Sequence, residues 1–176
     1  MRLFLIAASC VLVACGSSRS SQANNGQANA SANTATAAAV VAAPVSGAKA
    51  AAIMHERHEG MEALGKAMRN LHRQLESGSP DINLIRAQTS TMASAAGKIP
   101  GWFPAGTGPD VGKTRAKAEI WTQHDLFLRK AKDYAAAAQA VDAAARAGDL
   151  NKVMALHEDL DKACKACHQP FRAPEH

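Results

Sequence analysis

Two cysteines and a histidine near the C-terminus, in Cys164-Lys-Ala-Cys167-His168, have the residue types and spacing for metal or cofactor chemistry. On a helix these three residues fall at i, i+3 and i+4 and therefore share one face. Two thiols at this spacing can form thioethers with the two vinyl groups on one edge of a porphyrin. The imidazole of His168 can then ligate the iron. The pattern is that of a c-type haem attachment site.

Three other uses of such a motif were weighed against haem. A zinc site would need a second close pair of ligands, but Cys10 and Cys15 lie at the far N-terminus. A thioredoxin-like dithiol would belong to a βαβ unit, and the sequence shows no strand pattern. A simple disulfide is the third alternative. We therefore expect one covalent haem c per chain, attached through Cys164 and Cys167.

The composition favours helices over a sheet. The chain has 176 residues, of which 47% are hydrophobic, many of them alanine, and only 4% are aromatic. Alanine has the highest helix propensity, whereas strands are enriched in aromatic and β-branched residues. The net charge of +5 is not concentrated in a block of Lys and Arg, so we expect no nucleic-acid partner.

The N-terminus is typical of a secreted chain. Met1-Arg2 is a short basic start, and residues 3–14 form an apolar run too short to span a bilayer. The run ends in Leu-Val-Ala-Cys15-Gly, which resembles the lipobox of bacterial lipoproteins, where cleavage precedes a lipidated cysteine. We predict a signal peptide over 1–14 and lipid at Cys15, with an ordinary secretory signal as the alternative. By the same resemblance, the lack of an acidic residue after Cys15 favours the outer membrane of a bacterium.

Residues 15–48 differ from the rest of the chain. They are mostly Ser, Asn, Gln, Ala, Gly and Thr, with little charge and no hydrophobic period. Such a composition predicts a flexible linker, whose end-to-end distance as a random coil would be about 30 Å. We therefore expect a folded domain over 49–176.

Apolar residues recur at helical spacing from about residue 50 onward. The first stripe is Ile53, Arg57, Met61, Leu64, Met68, Leu71 and Leu75. The second stripe is Ile82, Ile85, Thr89, Met92, Ala96 and Ile99. Between them, Gly-Ser-Pro-Asp over 78–81 combines a helix stop with a helix start. Two antiparallel helices joined by a short turn are predicted.

A loop and two further helices complete the pattern. Residues 100–113 contain three prolines and four glycines, which exclude regular structure, and also Trp102 and Phe103, which we expect to be pinned against the bundle end or a haem edge. A third helix is predicted over about 114–147, with Trp121 and Leu128 on one side. Gly148 ends it, and Asp149 caps a fourth helix that carries the Cys-x-x-Cys-His motif. The sequence thus predicts an all-α, antiparallel up-and-down four-helix bundle.

A bundle with this motif on its last helix resembles the cytochrome c-prime family, the class II c-type cytochromes. The resemblance covers about residues 50–172. It includes Arg57 with Met61 four residues on, Ile-Pro-Gly-Trp-Phe-Pro over 99–104, and Glu-Ile-Trp over 119–121. It continues with Ala-Gly-Asp-Leu over 147–150 and with Phe171-Arg172 after the motif. The family implies a haem near one end of the bundle, with His168 as the proximal ligand.

The family contains two chemistries, and one residue of the first helix separates them. High-spin members place an apolar side chain over the iron and bind NO or CO, whereas low-spin members place a methionine sulfur there and transfer electrons. Here that residue is Met61, and a thioether ligand raises the reduction potential. Core packing is the alternative role for Met61. Arg57 and Arg172 are candidate partners of the haem propionates, with exposed surface arginines as the alternative.

The favoured function is therefore periplasmic electron transfer by a haem c with His168 proximal and Met61 distal. The alternative is a high-spin protein that binds NO or CO at an open sixth position, and a non-haem lipoprotein scaffold is the third hypothesis. Redox proteins of the periplasm are the expected partners, and a homodimer is expected from the family. No nucleophile with an adjacent base appears, so enzyme activity is not predicted.

Overall fold

The computed structural model describes residues 43–174, and its architecture is all-helical. Four long helices carry the fold, together with one short helix and one 3₁₀ turn. The long helices are α1 (Gly47–Glu76), α2 (Ile82–Ala96), α4 (His124–Ala147) and α5 (Leu150–Phe171). The short helix α3 is Glu119–Thr122, and the 3₁₀ turn is Ile99–Trp102. The only β pairing within residues 43–174 is one isolated bridge, and none of the helices described there is long and apolar enough to cross a membrane.

Short turns at one end of the bundle join α1 to α2 and α4 to α5. Asp81 caps α2, because its side chain accepts from the backbone N–H of Asn83 at 2.8 Å. Gly148 ends α4 in the left-handed region with φ 76°, where a glycine has no Cβ to clash. Asp149 then caps α5 by accepting from the N–H of Lys152 at 3.0 Å. The predicted ends of these helices are confirmed.

The four long helices pack in sequence around one core. α1 lies against α2, α2 against α4 and α4 against α5, whereas the backbones of α1 and α5 approach each other far less closely. The side chains with the least exposure come from all four long helices and from α3. They are Leu71, Ile85, Met92, Ile120, Phe127, Val141, Val153 and Leu160. The seam between the first and last helices is therefore the loosest side of the bundle.

The third long helix begins later than the sequence predicted. Residues 114–118 are not helical, α3 is a single turn, and the chain bends at Gln123 (φ −120°, ψ 43°) before α4 begins. The reason lies at the C-terminus. Lys117 N–H donates to Phe171 O at 3.0 Å and Ala173 N–H donates to Arg115 O at 2.8 Å, so this segment is held extended against the end of α5. The hydrophobic period of a sequence is a local signal and does not indicate this long-range pairing.

The buried face of α4 also differs from part of the prediction. The structure buries Phe127, Tyr134 and Val141, whereas Leu128 is 36% exposed. Ala131 and Ala138 are buried with them, so the core face combines small and large side chains. Because many residues here are alanine, the hydrophobic pattern did not fix the edge of this face, where Leu128 lies.

Candidate haem site

The motif residues lie together on one face near the end of α5. Cys164, Cys167 and His168 are each half-buried, and the two cysteines pack against the core. α5 runs through Pro170 to Phe171, and Arg172 then leaves the helix in an extended conformation. Pro170 therefore lies in the last turn of α5, where the helix ends one residue later. The two cysteines form no disulfide.

Burial sets the protonation of these three side chains. It raises the pKa of the Cys164 thiol to about 11 and also raises the pKa of Cys167. Burial, together with the positive charges of Arg172 and Arg115, lowers the pKa of His168. A neutral imidazole has a free nitrogen lone pair, and this is the form that binds a metal. The local electrostatics therefore suit His168 to iron ligation at neutral pH.

A pocket of about 430 Å³ opens beside the motif. Its lining is rich in basic side chains and comes from the end of α5, the C-terminal segment and Arg115. The lining residues are Arg115, Asp161, Cys164, Lys165, His168, Gln169, Arg172, Ala173 and Pro174. A flat apolar cofactor with anionic propionates fits these surroundings, because they combine half-buried thiols with a cationic rim.

The register between α1 and α5 places Met61 at the level of His168. His72 of α1 and His157 of α5 stack with ring centroids 5.5 Å apart, which aligns these two residues across the antiparallel helix pair. Met61 lies eleven residues before His72, and His168 lies eleven residues after His157. At about 1.5 Å of rise per residue, both lie about 16 Å along the bundle from the histidine pair. Met61 is half-buried against the core.

This register also relates the seam between α1 and α5 to the pocket beside the motif. The stacked imidazoles bridge the seam at the level of residues 72 and 157. The pocket beside the motif opens further along, near His168, and is lined by α5, the C-terminal segment and Arg115, but by no residue of α1. A haem attached at Cys164 and Cys167 would lie at the end remote from the short turns.

Arg57 is buried, at 4% exposure, and its guanidinium binds the connection between α2 and α4. Its Nη1 donates to Thr107 O at 3.0 Å and Nη2 donates to Thr114 Oγ1 at 3.0 Å. Its Cζ lies 4.9 Å from the centroid of the Phe103 ring. Burial lowers the pKa of Arg57, and the hydrogen bonds hold its cation in place. The alternative of an exposed surface arginine is therefore wrong for Arg57, while its pairing with a propionate stays a prediction.

Arg172 differs from Arg57, because Arg172 is exposed and lies on the rim of the pocket. Its backbone is fixed, since its N–H donates to His168 O at 2.9 Å and the residue pairs with Ala116 in the isolated bridge. The positive charge contributes to the lowered pKa of His168. Arg172 thus stays near the motif, where pairing with a propionate remains a prediction.

The other histidines of α1 do not lie with Met61 on the buried stripe. His55 is exposed, and His58 is 66% exposed with its Nε2 3.3 Å from Glu62 Oε1. His58, Glu59 and Glu62 form the one group of three potential metal ligands within the part of the chain that the structure describes, and all three are exposed. His55 and His58 are therefore surface residues.

Sequence reasoning missed two features around this site. The first is the partner of Trp102: the sequence predicted that this residue is pinned against the bundle or a haem edge, but not that it packs on Gly60 and donates from Nε1 to Glu56 Oε1 at 3.1 Å. The second is the stacking of His72 on His157, which no local sequence pattern indicates. Gly60, a glycine inside a strong helical stripe, was the available signal, because such a glycine often marks a close approach.

The comparisons with known proteins decide the family. The family described as Cytochrome C' matches residues 52–172 of this chain. A cytochrome c′ from Pararhodospirillum photometricum is 32% identical over 126 residues, which are 71% of this chain and 99% of that protein. This chain belongs to the cytochrome c′ family. Members of the family carry covalent haem c with iron, so the cofactor and the fold predicted from the sequence are both confirmed.

Solved cytochrome c′ structures agree with this placement. One, described as having an unusual ligand-controlled dimer dissociation, has a TM-score of 0.66 and 26% identity, covering 73% of this chain and all of that one. Another is a nitric oxide complex of a cytochrome c′ variant from Alcaligenes xylosoxidans, with a TM-score of 0.65 and 25% identity, covering 73% and 100%. The chain is thus a haem protein of a bacterial family of four-helix bundles, and the scaffold hypothesis is not needed to explain it.

Proposed function

We propose that this cytochrome c′ family member is a periplasmic electron carrier whose haem iron has His168 as the proximal ligand and Met61 as the distal ligand. The haem is attached through Cys164 and Cys167 and supplies one-electron chemistry at the iron. The observation that carries the proposal is the helix register, which aligns Met61 with His168 across the seam between α1 and α5. The protein's own task is to hold both ligands and keep the pocket dry.

The side chains around the two ligands support this role. His168 is kept neutral by burial and by neighbouring positive charge, which leaves a lone pair for the metal. Met61 is half-buried on a helix whose adjacent turn is fixed by Arg57 and Trp102. A ligand set that is held in both oxidation states reorganises little on electron transfer. Arg57 and Arg172 are proposed to pair with the haem propionates from the two sides of the seam.

Optical spectra of the purified holoprotein test the assignment. The oxidised wild-type protein is expected to show the near-infrared band of a sulfur-to-iron bond. Both the oxidised and the reduced protein are expected to have low-spin spectra. Met61→Leu removes the sulfur at nearly constant volume and is expected to lose the band and bind CO rapidly. Met68→Leu, on the same stripe of α1, is the matched control and should behave as wild type. A high-spin ferric spectrum of the wild type would contradict the proposal.

Binding of NO or CO at an open sixth position is the second candidate function. It is favoured by the solved nitric oxide complex of a relative, because the structural match extends over the whole of that relative's chain. Stopped-flow mixing of ferrous protein with CO separates the two functions. Fast binding with Met61 intact supports the gas-binding function, whereas slow binding limited by dissociation of Met61 supports electron transfer.

Location and assembly are proposed from the sequence and the relatives. The signal peptide over 1–14 and the lipid at Cys15 lie outside the described residues, as does the predicted linker over 15–48 up to residue 42, whereas residues 47–48 already belong to α1. We propose that the lipid tethers the domain of residues 49–176 to the outer membrane. Mass spectrometry of the mature N-terminus, with Cys15→Ser as control, tests lipidation. Redox proteins of the periplasm are the proposed partners. A homodimer is proposed because one relative is described by its ligand-controlled dimer dissociation, and sedimentation with and without CO tests it.

A further inference from the structure

Trp102 lies directly on Gly60 of α1. A Cβ added at residue 60 would come within 2.6 Å of Trp102 Cζ2, and closer still to Cη2. The indole is 5% exposed, and its Nε1 donates to Glu56 Oε1 at 3.1 Å, so the ring is fixed in this position. Only a glycine fits at residue 60 without moving the indole, because packed interiors leave few voids.

The same turn of α1 is attached to the connection by Arg57. Its guanidinium donates to Thr107 O at 3.0 Å, and Thr107 is fully buried. Arg57 precedes Gly60 by three residues and Met61 by four, so all three lie on one stripe of the helix. Met61 is therefore the residue directly after the close contact and one turn after the buried arginine.

We propose that the close contact between Gly60 and Trp102, called the lock below, fixes the axial position and the rotation of α1 so that Met61 can ligate the haem iron. The inference rests on the proposed His168 and Met61 ligation and makes Gly60 and Trp102 positioning residues. α5 does not hold α1 closely at this level, since the backbones of α1 and α5 approach each other little. The contact with the connection lies next to Met61 and adds to the packing of α1 on α2.

The tolerance of a ligand site explains why such a lock matters. A functional side chain has to be held within about 0.5 Å and 10–20° of its productive geometry. Methionine has three rotatable bonds and does not fix its own sulfur. A helix turns by about 100° and rises about 1.5 Å per residue, so a slight shift of α1 displaces the sulfur by more than the tolerance. A close packing contact next to Met61 limits such shifts.

Four variants of the holoprotein test the lock: Gly60→Ala, Gly65→Ala, Trp102→Phe and the double variant Gly60→Ala/Trp102→Phe. Gly65 is the matched control, because a Cβ there would meet only the flexible Arg69 side chain at 3.3 Å. Phenylalanine at residue 102 lacks the three ring atoms nearest residue 60. The readouts are the near-infrared sulfur band, the CO-accessible fraction and the free energy of unfolding.

The lock predicts a specific pattern. Gly60→Ala should weaken the sulfur band and raise the CO-accessible fraction by about tenfold, the size expected from overpacking strain. Gly65→Ala should keep the wild-type band, and the double variant should recover band intensity relative to Gly60→Ala. If Gly60→Ala is less stable but keeps its full band, the contact is only structural and the lock is wrong. If the wild type itself has no sulfur band, the proposed ligation and the lock both fail.

Discussion

The two ends of the bundle differ in the contacts that fix their connecting segments. At the turn end, which comprises residues 77–81 and 148–149, local contacts such as the αL glycine Gly148 and the aspartate caps Asp81 and Asp149 define the structure. At the haem end, which comprises residues 97–123 and the end of α5, long-range contacts define it. Short turns join the helices at the turn end, whereas a long connection joins α2 to α4 at the haem end.

Long-range side-chain hydrogen bonds tie the elements together at both ends. At the turn end, Arg86 of α2 donates from Nε to Ala145 O at 2.9 Å, which binds the end of α4 to the start of α2. At the haem end, Arg57 reaches the connection and Trp121 Nε1 donates to Pro104 O at 3.0 Å. Both ends thus carry long-range hydrogen bonds, and they differ in that those of the haem end include bonds made by Arg57, one helical turn before Met61.

The largest effect on stability is expected from Arg57→Ala at the haem end. It removes the hydrogen bonds to Thr107 and Thr114 and leaves the buried Thr107 carbonyl without that donor. We expect a loss of about 3 kcal/mol in the free energy of unfolding, measured by chemical denaturation, and a weaker sulfur band. Arg69→Ala, an exposed arginine of the same helix, should change stability by less than about 0.5 kcal/mol. Equal effects of the two variants would remove the proposed coupling.

A smaller effect is expected at the turn end. Gly148→Ala forces a Cβ into a backbone with φ 76°, and Asp149→Ala removes the cap that accepts from Lys152 N–H. Each should cost about 1 kcal/mol in thermal or chemical unfolding. Neither should change the optical spectrum, because no contact of the turn end reaches Met61. A spectral change in either variant would show that the two ends are not independent.

The smallest effect concerns pH and the stacked histidines. Burial, and then the neighbouring His72, lower the pKa of His157, and its Nε2 is buried with no hydrogen-bond partner. A base with a lowered pKa in the folded state binds protons more readily when unfolded, so stability is full above about pH 6.5 and falls as pH drops below it. His157→Gln should flatten this part of a stability–pH curve, whereas His55→Gln, at an exposed residue, should not. An unchanged slope in His157→Gln would contradict the assignment.

The turn end and the motif could be predicted from sequence because their signals are local. Asp149, Gly148 and the Cys164–His168 spacing act within one or two helical turns, and a local pattern reveals them. The start of α4 at His124 could not be predicted in this way, because it depends on residues 115–117 pairing with 171–173. The same holds for Trp102, whose place on Gly60 depends on how the connection folds back onto α1.

The iron environment itself tests the account most directly. X-ray absorption at the iron edge, on oxidised and reduced holoprotein, reports which atoms are bound to the metal. We predict one sulfur neighbour in both oxidation states of the wild type and none in Met61→Leu, while the nitrogen neighbours, including that from His168, are unchanged. A wild-type iron without a sulfur neighbour would contradict the account and leave the gas-binding function in its place.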